Sequence, residues 1–167
     1  MARARHGLPD LPWITKDGYF DMLKFPLDDI LKDAVGPHRN RVENSLRFLG
    51  SASSSGRTEA GVFLMGLLTS LPEDDWELRI QTVQALRFAP TDRCAALLFG
   101  EIRRVRSSNT TRRYIAALLD VLESFPEELV CDEFEALAAD KSFSYKMRKK
   151  FRHAAGDYDW AELESSF

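Results

Sequence analysis

The side chains that most often hold metals or carry out nucleophilic catalysis are few in this sequence and are widely spaced. The three histidines, His6, His38 and His153, form neither an HxxxH nor an HExxH pattern. Cys94 and Cys131 form no CxxC pair, and we interpret them as small apolar side chains of a reduced protein. We therefore expect no metal, no other cofactor and no catalytic residues, and an enzyme is the class of protein that the sequence favours least.

Paired carboxylates are the next candidates for chemistry. They occur at Asp28-Asp29, Asp74-Asp75, Glu127-Glu128 and Asp132-Glu133. Most of these pairs fall in the predicted first turn of a helix, where a carboxylate accepts hydrogen bonds from free N–H groups and complements the helix dipole. We interpret them as helix caps rather than as general acids or bases.

Basic residues are concentrated in two stretches that contain no acidic residue, one between Glu101 and Asp120 and the other between Asp140 and Asp157. Arg112, Arg113 and Lys146 fall in predicted first turns, where a cation opposes the helix dipole by roughly 0.3–1 kcal/mol. An unfavourable local position of this kind hints at a binding role. We define the basic ridge as Arg79, Arg103, Arg104, Arg106, Arg112, Arg113, Lys146, Arg148, Lys149 and Arg152.

The elements that position these residues are predicted to be helices. Apolar residues recur at spacings of three and four, as in Cys94, Leu98 and Ile102, and no stretch alternates like a strand. The pattern predicts seven or eight helices, with starts near 58, 75, 91, 109, 127 and 144, a short helix within 19–35, another over 39–49, and a loop over 51–56. The helix over 58–71 is apolar on all sides, so we expect it to be buried, with Gly61 and Gly66 allowing close approach of a neighbouring helix.

Equivalent predicted helices recur every 33 to 36 residues, which is typical of stacked helical repeats. The segment Asp75-Trp76-Glu77-Leu78-Arg79, followed by Ala85-Leu86, resembles the first helix of a HEAT repeat of the short bacterial kind, with Trp76 where that family usually has proline. The resemblance covers about residues 39–155. It implies an all-α fold, a short right-handed superhelix of about three to four helix pairs, that binds a protein or a nucleic acid. It also implies that Arg79, Arg113 and Arg148 can pair with acids of neighbouring repeats.

The length of 167 residues and the mass of 19.0 kDa predict one domain with enough core to fold without disulfides. We divide the chain into an extended arm over 1–18, a helical repeat domain over 19–156 and an acidic tail over 157–167, which could fold back on the basic ridge. The net charge of −3 excludes a uniformly basic nucleic-acid-binding surface. No signal peptide and no apolar run of membrane-spanning length are seen, so we expect a cytoplasmic protein.

These patterns predict a non-enzymatic scaffold or adaptor that holds a protein partner on the concave face of the helical stack. Three alternatives stay open. The basic ridge could bind the phosphates of a nucleic acid, the chain could act as an immunity or inhibitor protein, and the apolar helix over 58–71 could form a homodimer.

Overall fold

The computed structural model describes residues 11–156, and this part of the chain is helical with short connections. The all-α prediction is confirmed for it, since its extended structure amounts to one isolated bridge between Ile14 and Phe20. No helix in this range is long and apolar enough to cross a membrane. The helices are α1 (Asp28–Ala34), α2 (Arg39–Ser54), α3 (Thr58–Ser70), α4 (Trp76–Leu86), α5 (Asp92–Arg104), α6 (Arg112–Leu122), α7 (Glu127–Ala139) and α8 (Tyr145–Ala154).

Of the carboxylate pairs interpreted as caps, Asp74-Asp75 supplies one through Asp75, whereas α1 and α7 have no side-chain cap and Asp132-Glu133 lies inside α7. Thr91 and Ser144 cap two further helices. The side chains of Asp75, Thr91 and Ser144 accept hydrogen bonds from the amides three residues further on, at 3.1, 3.2 and 3.3 Å. Each of these bonds satisfies an N–H that a helix leaves without an internal partner, which fixes the first residue of α4, α5 and α8.

The helix predicted over 39–49 is longer than expected. It continues through the serine-rich segment and ends at Ser54, so the prediction of a loop over 51–56 was wrong for most of that segment. The serines fit into the helix because their hydroxyls donate hydrogen bonds to carbonyl oxygens of the preceding turn. Ser51 donates to Arg47 at 3.2 Å, and Ser54 donates to Ser51 at 2.8 Å. The helix stops only where Gly56 adopts a φ of +92°.

The segment before α1 forms turns rather than the start of a helix, so the helix predicted within 19–35 begins only at Asp28. A small loop closes through the Ile14–Phe20 bridge, with Gly18 at a φ of +86°. One guanidinium nitrogen of Arg57, Nη1, donates to the carbonyl oxygens of Met22, Leu23 and Phe25, at 2.9, 3.2 and 2.9 Å. This side chain holds the segment against the start of α3. Residues 1–10 of the predicted arm lie outside the described part.

The helices pack in a regular order. Helices α2, α4 and α6 lie side by side, α3 packs against α2 and α4, and α5 packs against α6 and α7. Helix α8 packs against α7, and α1 packs against α2. A single apolar core runs through this arrangement and includes the fully buried rings of Phe99, Tyr114, Phe134 and Phe151. The Phe99 and Phe134 rings meet edge to face at 5.0 Å and join α5 to α7.

Helix α3 is buried on most of its surface but not on all of it. Leu64 and Leu68 are fully buried, whereas 61% of Val62 is exposed, so the prediction of burial on all sides was wrong for the Val62 side. The uninterrupted apolar sequence led to this error, because one exposed valine on a helix surface lowers the stability of the fold only slightly. Gly61 and Gly66 also differ from each other. A Cβ at Gly61 would lie 2.9 Å from the Cβ of Ala89, whereas a Cβ at Gly66 would meet open space.

These two glycines make a matched test of close packing. Gly61→Ala is expected to lower the free energy of unfolding by about 1–3 kcal/mol, because the Ala89 Cβ cannot give way without backbone movement. Gly66→Ala is expected to raise it by up to about 1 kcal/mol, because alanine favours the helix and meets no neighbour. Urea denaturation followed by circular dichroism measures both changes, and equal effects of the two substitutions would contradict the packing described here.

Candidate functional site

Several arginines of the basic ridge are paired with acids on neighbouring helices. Arg113, at the start of α6, lies 3.4 Å from Glu77 in the first turn of α4. Arg103, near the end of α5, pairs with Glu133 of α7. The first-turn position of Arg113, unfavourable within its own helix, is therefore compensated by a carboxylate on the adjacent helix.

The pairing extends to arginines that sequence reasoning did not single out. Arg39, the first residue of α2, donates to Asp75 at 2.9 Å, and Arg87, next to the end of α4, pairs with Asp120 of α6. In these ion pairs the partners stand 30 to 36 residues apart in sequence, close to the repeat period. A search for opposite charges at that separation would have found them.

A buried polar network joins α4, α5 and α6. Glu101, 8% exposed, accepts hydrogen bonds from Tyr114 at 2.6 Å and from Arg104 at 2.8 and 3.0 Å. Arg79, 3% exposed, lies 3.7 Å from the same carboxylate and donates to the carbonyl oxygen of Leu68 at 3.1 Å. Arg79 thus lies in the interior and does not belong to the surface that the basic ridge was expected to form.

Electrostatics in this network favour the ionised carboxylate. Burial acts to raise the pKa of Glu101, but the hydrogen bonds from Arg104 and Tyr114 and the charges of Arg104 and Arg79 outweigh it and lower the pKa. The pKa of the Tyr114 phenol is raised, chiefly by burial and then by Glu101. The pKa of Asp140, beside the start of α8, is lowered mainly by hydrogen bonds from Ser142 and further by the charges of Arg103 and Arg148.

The lowered pKa values of these carboxyl groups predict that the fold becomes less stable at acidic pH. A carboxyl whose pKa is lower in the folded than in the unfolded protein contributes stability above its unfolded value, and that contribution is lost as the pH falls through the folded value. The ordinary pKa values of Glu101 and Asp140 are 4.5 and 3.8. We expect the urea midpoint to be nearly constant from about pH 6 to pH 8 and to fall below about pH 4.5. A midpoint at about pH 3.5 equal to that at neutral pH would contradict this.

A groove of about 490 Å³ opens between the end of α5, the start of α6 and the segment that leads into α8. Its apolar lining is buried or half-buried, whereas its arginines and most of its serines are exposed. The lining residues are Ile102, Arg103, Val105, Arg106, Ser107, Ile115, Ser142, Phe143, Ser144 and Met147. The groove therefore combines an apolar floor with a cationic and hydroxyl-bearing rim.

Three cations in or next to this groove have no side-chain partner among residues 11–156. In the part of the chain that the structure describes, the side chains of Arg106, Lys141 and Lys146 form neither a hydrogen bond nor an ion pair. Arg106 lines the groove, and the two lysines flank its lining residues in sequence. The first turn of α8 adds the positive end of a helix dipole on the same side. None of these three cations is neutralised by an acid within the described residues.

The remaining ridge residues lie nearby but differ in environment. Arg112 is exposed and lies 3.5 Å from the Asn109 side chain, and Arg152 lies over the Tyr145 ring at 5.8 Å. Arg148 is half-buried, and its Nε has no hydrogen-bond partner among residues 11–156. Lys149 is exposed on α8. Sequence reasoning found the cations but missed the apolar floor, which forms only when α8 meets α5.

A second groove of about 510 Å³ lies between α2 and α4. Its lining has mixed charge, with Glu43 and Arg47 on α2 and Glu77 on α4, and it includes Phe88, which is 48% exposed. Gly50 forms part of its wall, where a Cβ would meet the backbone of Ala85 at 3.3 Å. The two acids and one base in this lining give it charges of both signs, unlike the lining of the first groove.

No group of histidine, cysteine and acidic residues suited to a metal ion occurs within residues 11–156. Cys94 is buried as expected, which raises the pKa of its thiol to about 12, and Cys131 is half-buried. Comparisons with protein-family models, with curated proteins and with solved structures give no match for this sequence. The geometry and charge of the two grooves are therefore the features that bear on function.

Proposed function

We propose that this chain is a non-enzymatic binding module built from HEAT-like helix pairs. The groove between the end of α5, the start of α6 and the segment that leads into α8, called the α5–α8 groove, holds a segment of a partner protein that has both acidic and large apolar side chains. The observation that carries the proposal is the apolar floor with Arg106 in its lining and with Lys141 and Lys146 next in sequence to lining residues, three cations without a side-chain partner in the described residues. Apolar side chains of a partner segment would fill the floor, and its carboxylates would pair with the rim.

The HEAT-like arrangement is supported by the order of packing. Alternate helices α2, α4 and α6 lie side by side, each packed against the helix that precedes it, and ion pairs link them at nearly the repeat spacing. Such stacks present their surfaces as rigid supports for extended partners. The proposed contact lies where α5 and α6 meet the last helix pair, α7 and α8, rather than along the whole concave face.

A protein partner is better supported than a nucleic acid by the state of the ridge arginines. Phosphate binding needs several exposed cations that are free to release counterions. Here Arg103, Arg104 and Arg113 already face carboxylates. Arg106, which is not paired with an acid, lines an apolar floor that a phosphate backbone would leave uncovered. An adaptor and an inhibitor protein would both use such a groove, and the identity of the partner decides between them.

Selection from a library of random peptides displayed on phage tests the proposal. We expect the wild-type chain to select peptides that are rich in Asp and Glu and that contain two or more large apolar residues. A chain carrying Arg106→Glu and Lys146→Glu should bind those peptides more than tenfold more weakly, because both substitutions place acids on the rim.

A matched control carries Arg47→Glu and Arg93→Glu, which change the net charge equally but lie away from the α5–α8 groove. We expect this control to bind the selected peptides as the wild type does. Selection of peptides without acidic residues, or equal weakening by the control, would overturn the proposal and would favour the groove between α2 and α4.

A further inference from the structure

The partner chemistry required by the groove also occurs within the chain itself. We propose that residues 157–167 bind in the α5–α8 groove of the same molecule and compete with the partner segment, an inference that depends on the proposed function. This segment contains the acids Asp157, Asp159, Glu162 and Glu164 together with Tyr158, Trp160 and Leu163. The segment lies outside the described residues, and the surface that it would meet is described.

Charge directs the segment toward the groove. The end of α8 lies beside Cys131 of α7, whose thiol contacts the carbonyl oxygen of Ala155 at 3.7 Å. Burial and the carboxylates of Glu135, Glu127 and Asp132 raise the pKa of Cys131, which shows that this side of α7 is acidic. An acidic segment leaving Gly156 is repelled there. It is attracted to α8, which carries Arg152 and His153 in its last turn and Lys146 in its first turn, next to the groove-lining Met147.

The segment is long enough to reach the groove. Helix α8 has ten residues and a length of about 15 Å, and the groove is lined by residues at its start. Gly156 has a φ of +84°, a conformation that turns the chain out of the helix direction. The eleven residues from 157 to 167 extend to roughly 36 Å, which is more than the length of α8.

Intramolecular binding has a measurable consequence. A short tether of this kind gives an effective concentration of about 1 mM. If the segment binds the groove with a dissociation constant of about 0.1 mM, a peptide added in solution meets roughly tenfold competition in the wild-type chain. A partner must displace the segment, so the segment lowers the apparent affinity of the groove for the partner.

The test uses a fluorescein-labelled peptide with the sequence of residues 157–167 and three full-length chains. The first is the wild type. The second, the tail-reversed chain, carries Asp157→Lys, Asp159→Lys, Glu162→Lys and Glu164→Lys. With these substitutions the segment should no longer bind the groove. The third adds Arg106→Glu and Lys146→Glu to the tail-reversed chain. Fluorescence anisotropy measures the binding of the peptide to each.

We expect the tail-reversed chain to bind the peptide about tenfold more tightly than the wild type, and the third chain to lose that binding. Equal affinities of the wild-type and tail-reversed chains, or no binding by the tail-reversed chain, would overturn the inference. If the tail-reversed chain still binds the phage-selected peptides, the proposed function stands while this inference fails. If the tail-reversed chain also fails to bind those peptides, both fail. A wild-type mass that doubles with concentration in sedimentation, with a monomeric tail-reversed chain, would assign the groove to a second copy and overturn binding within one molecule.

Discussion

Glu101→Ala is expected to lower the free energy of unfolding by about 3–5 kcal/mol, the typical loss when one partner of a buried ion pair is removed. The substitution leaves the Arg79 guanidinium buried without a carboxylate partner, in contact with the Leu68 carbonyl and the Tyr114 ring, and it removes the acceptor of the Tyr114 hydroxyl. Urea denaturation at neutral pH measures the loss.

The control for this prediction is Glu73→Ala. Glu73 also pairs with Arg104, at 3.0 Å, but its side chain is 82% exposed, so its removal should cost less than about 1 kcal/mol. Replacing both buried charges, with Arg79→Met and Glu101→Leu, should restore much of the stability, because no unpaired charge is then buried. Similar losses for Glu73→Ala and Glu101→Ala would show that the network does not hold α4, α5 and α6 together.

Phe134→Ala is expected to lower the free energy of unfolding by about 3–5 kcal/mol, because it removes a fully buried ring and leaves a cavity. The Phe134 ring meets Phe99 and so anchors α7 to α5. Because α8 packs mainly on α7, the same substitution should also loosen the α8 wall of the groove. We expect faster amide exchange in α7 and α8 than in α2 and α4, and weaker binding of the selected peptides.

Phe88→Ala serves as the matched control, since Phe88 is 48% exposed and its ring lies at the groove between α2 and α4. Its loss should cost less than about 1 kcal/mol and leave peptide binding unchanged. Uniform acceleration of amide exchange over all eight helices in the Phe134→Ala chain would contradict the anchoring role of the ring contact.

Helix starts were predictable from sequence where a cap or a proline marks them. Asp75, Thr91 and Ser144 each act locally, through an amide three residues away, so the sequence contains the whole interaction. The end of α2 was not predictable in this way. The serine-rich segment stays helical partly because Ser53 donates to the Phe88 carbonyl oxygen, 35 residues away at 3.0 Å. Such a contact exists only after α2 and α4 have met.

The candidate site was predictable only in part, for a similar reason. The acid-free stretches indicated where the cations lie, but they did not show that Arg103 and Arg113 face Glu133 and Glu77 on neighbouring helices. The apolar floor was counted as ordinary core, because Ile102 and Ile115 fit the helical pattern of a buried stripe. Only the position of α8 against the end of α5 shows that these side chains border an open groove.

Binding of nucleic acids and of an acidic peptide, compared on the same protein, tests most directly the claim that the groove binds a polypeptide. Fluorescence anisotropy is measured with labelled single- and double-stranded DNA and RNA and with a phage-selected acidic peptide, at about 50 and 200 mM salt. We predict peptide binding at both salt concentrations, weakened by Arg106→Glu with Lys146→Glu, and no nucleic-acid binding at either. Micromolar nucleic-acid binding that collapses at the higher salt concentration, and that is lost on Arg112→Glu or Lys149→Glu, would contradict the claim and make the basic ridge a phosphate-binding surface.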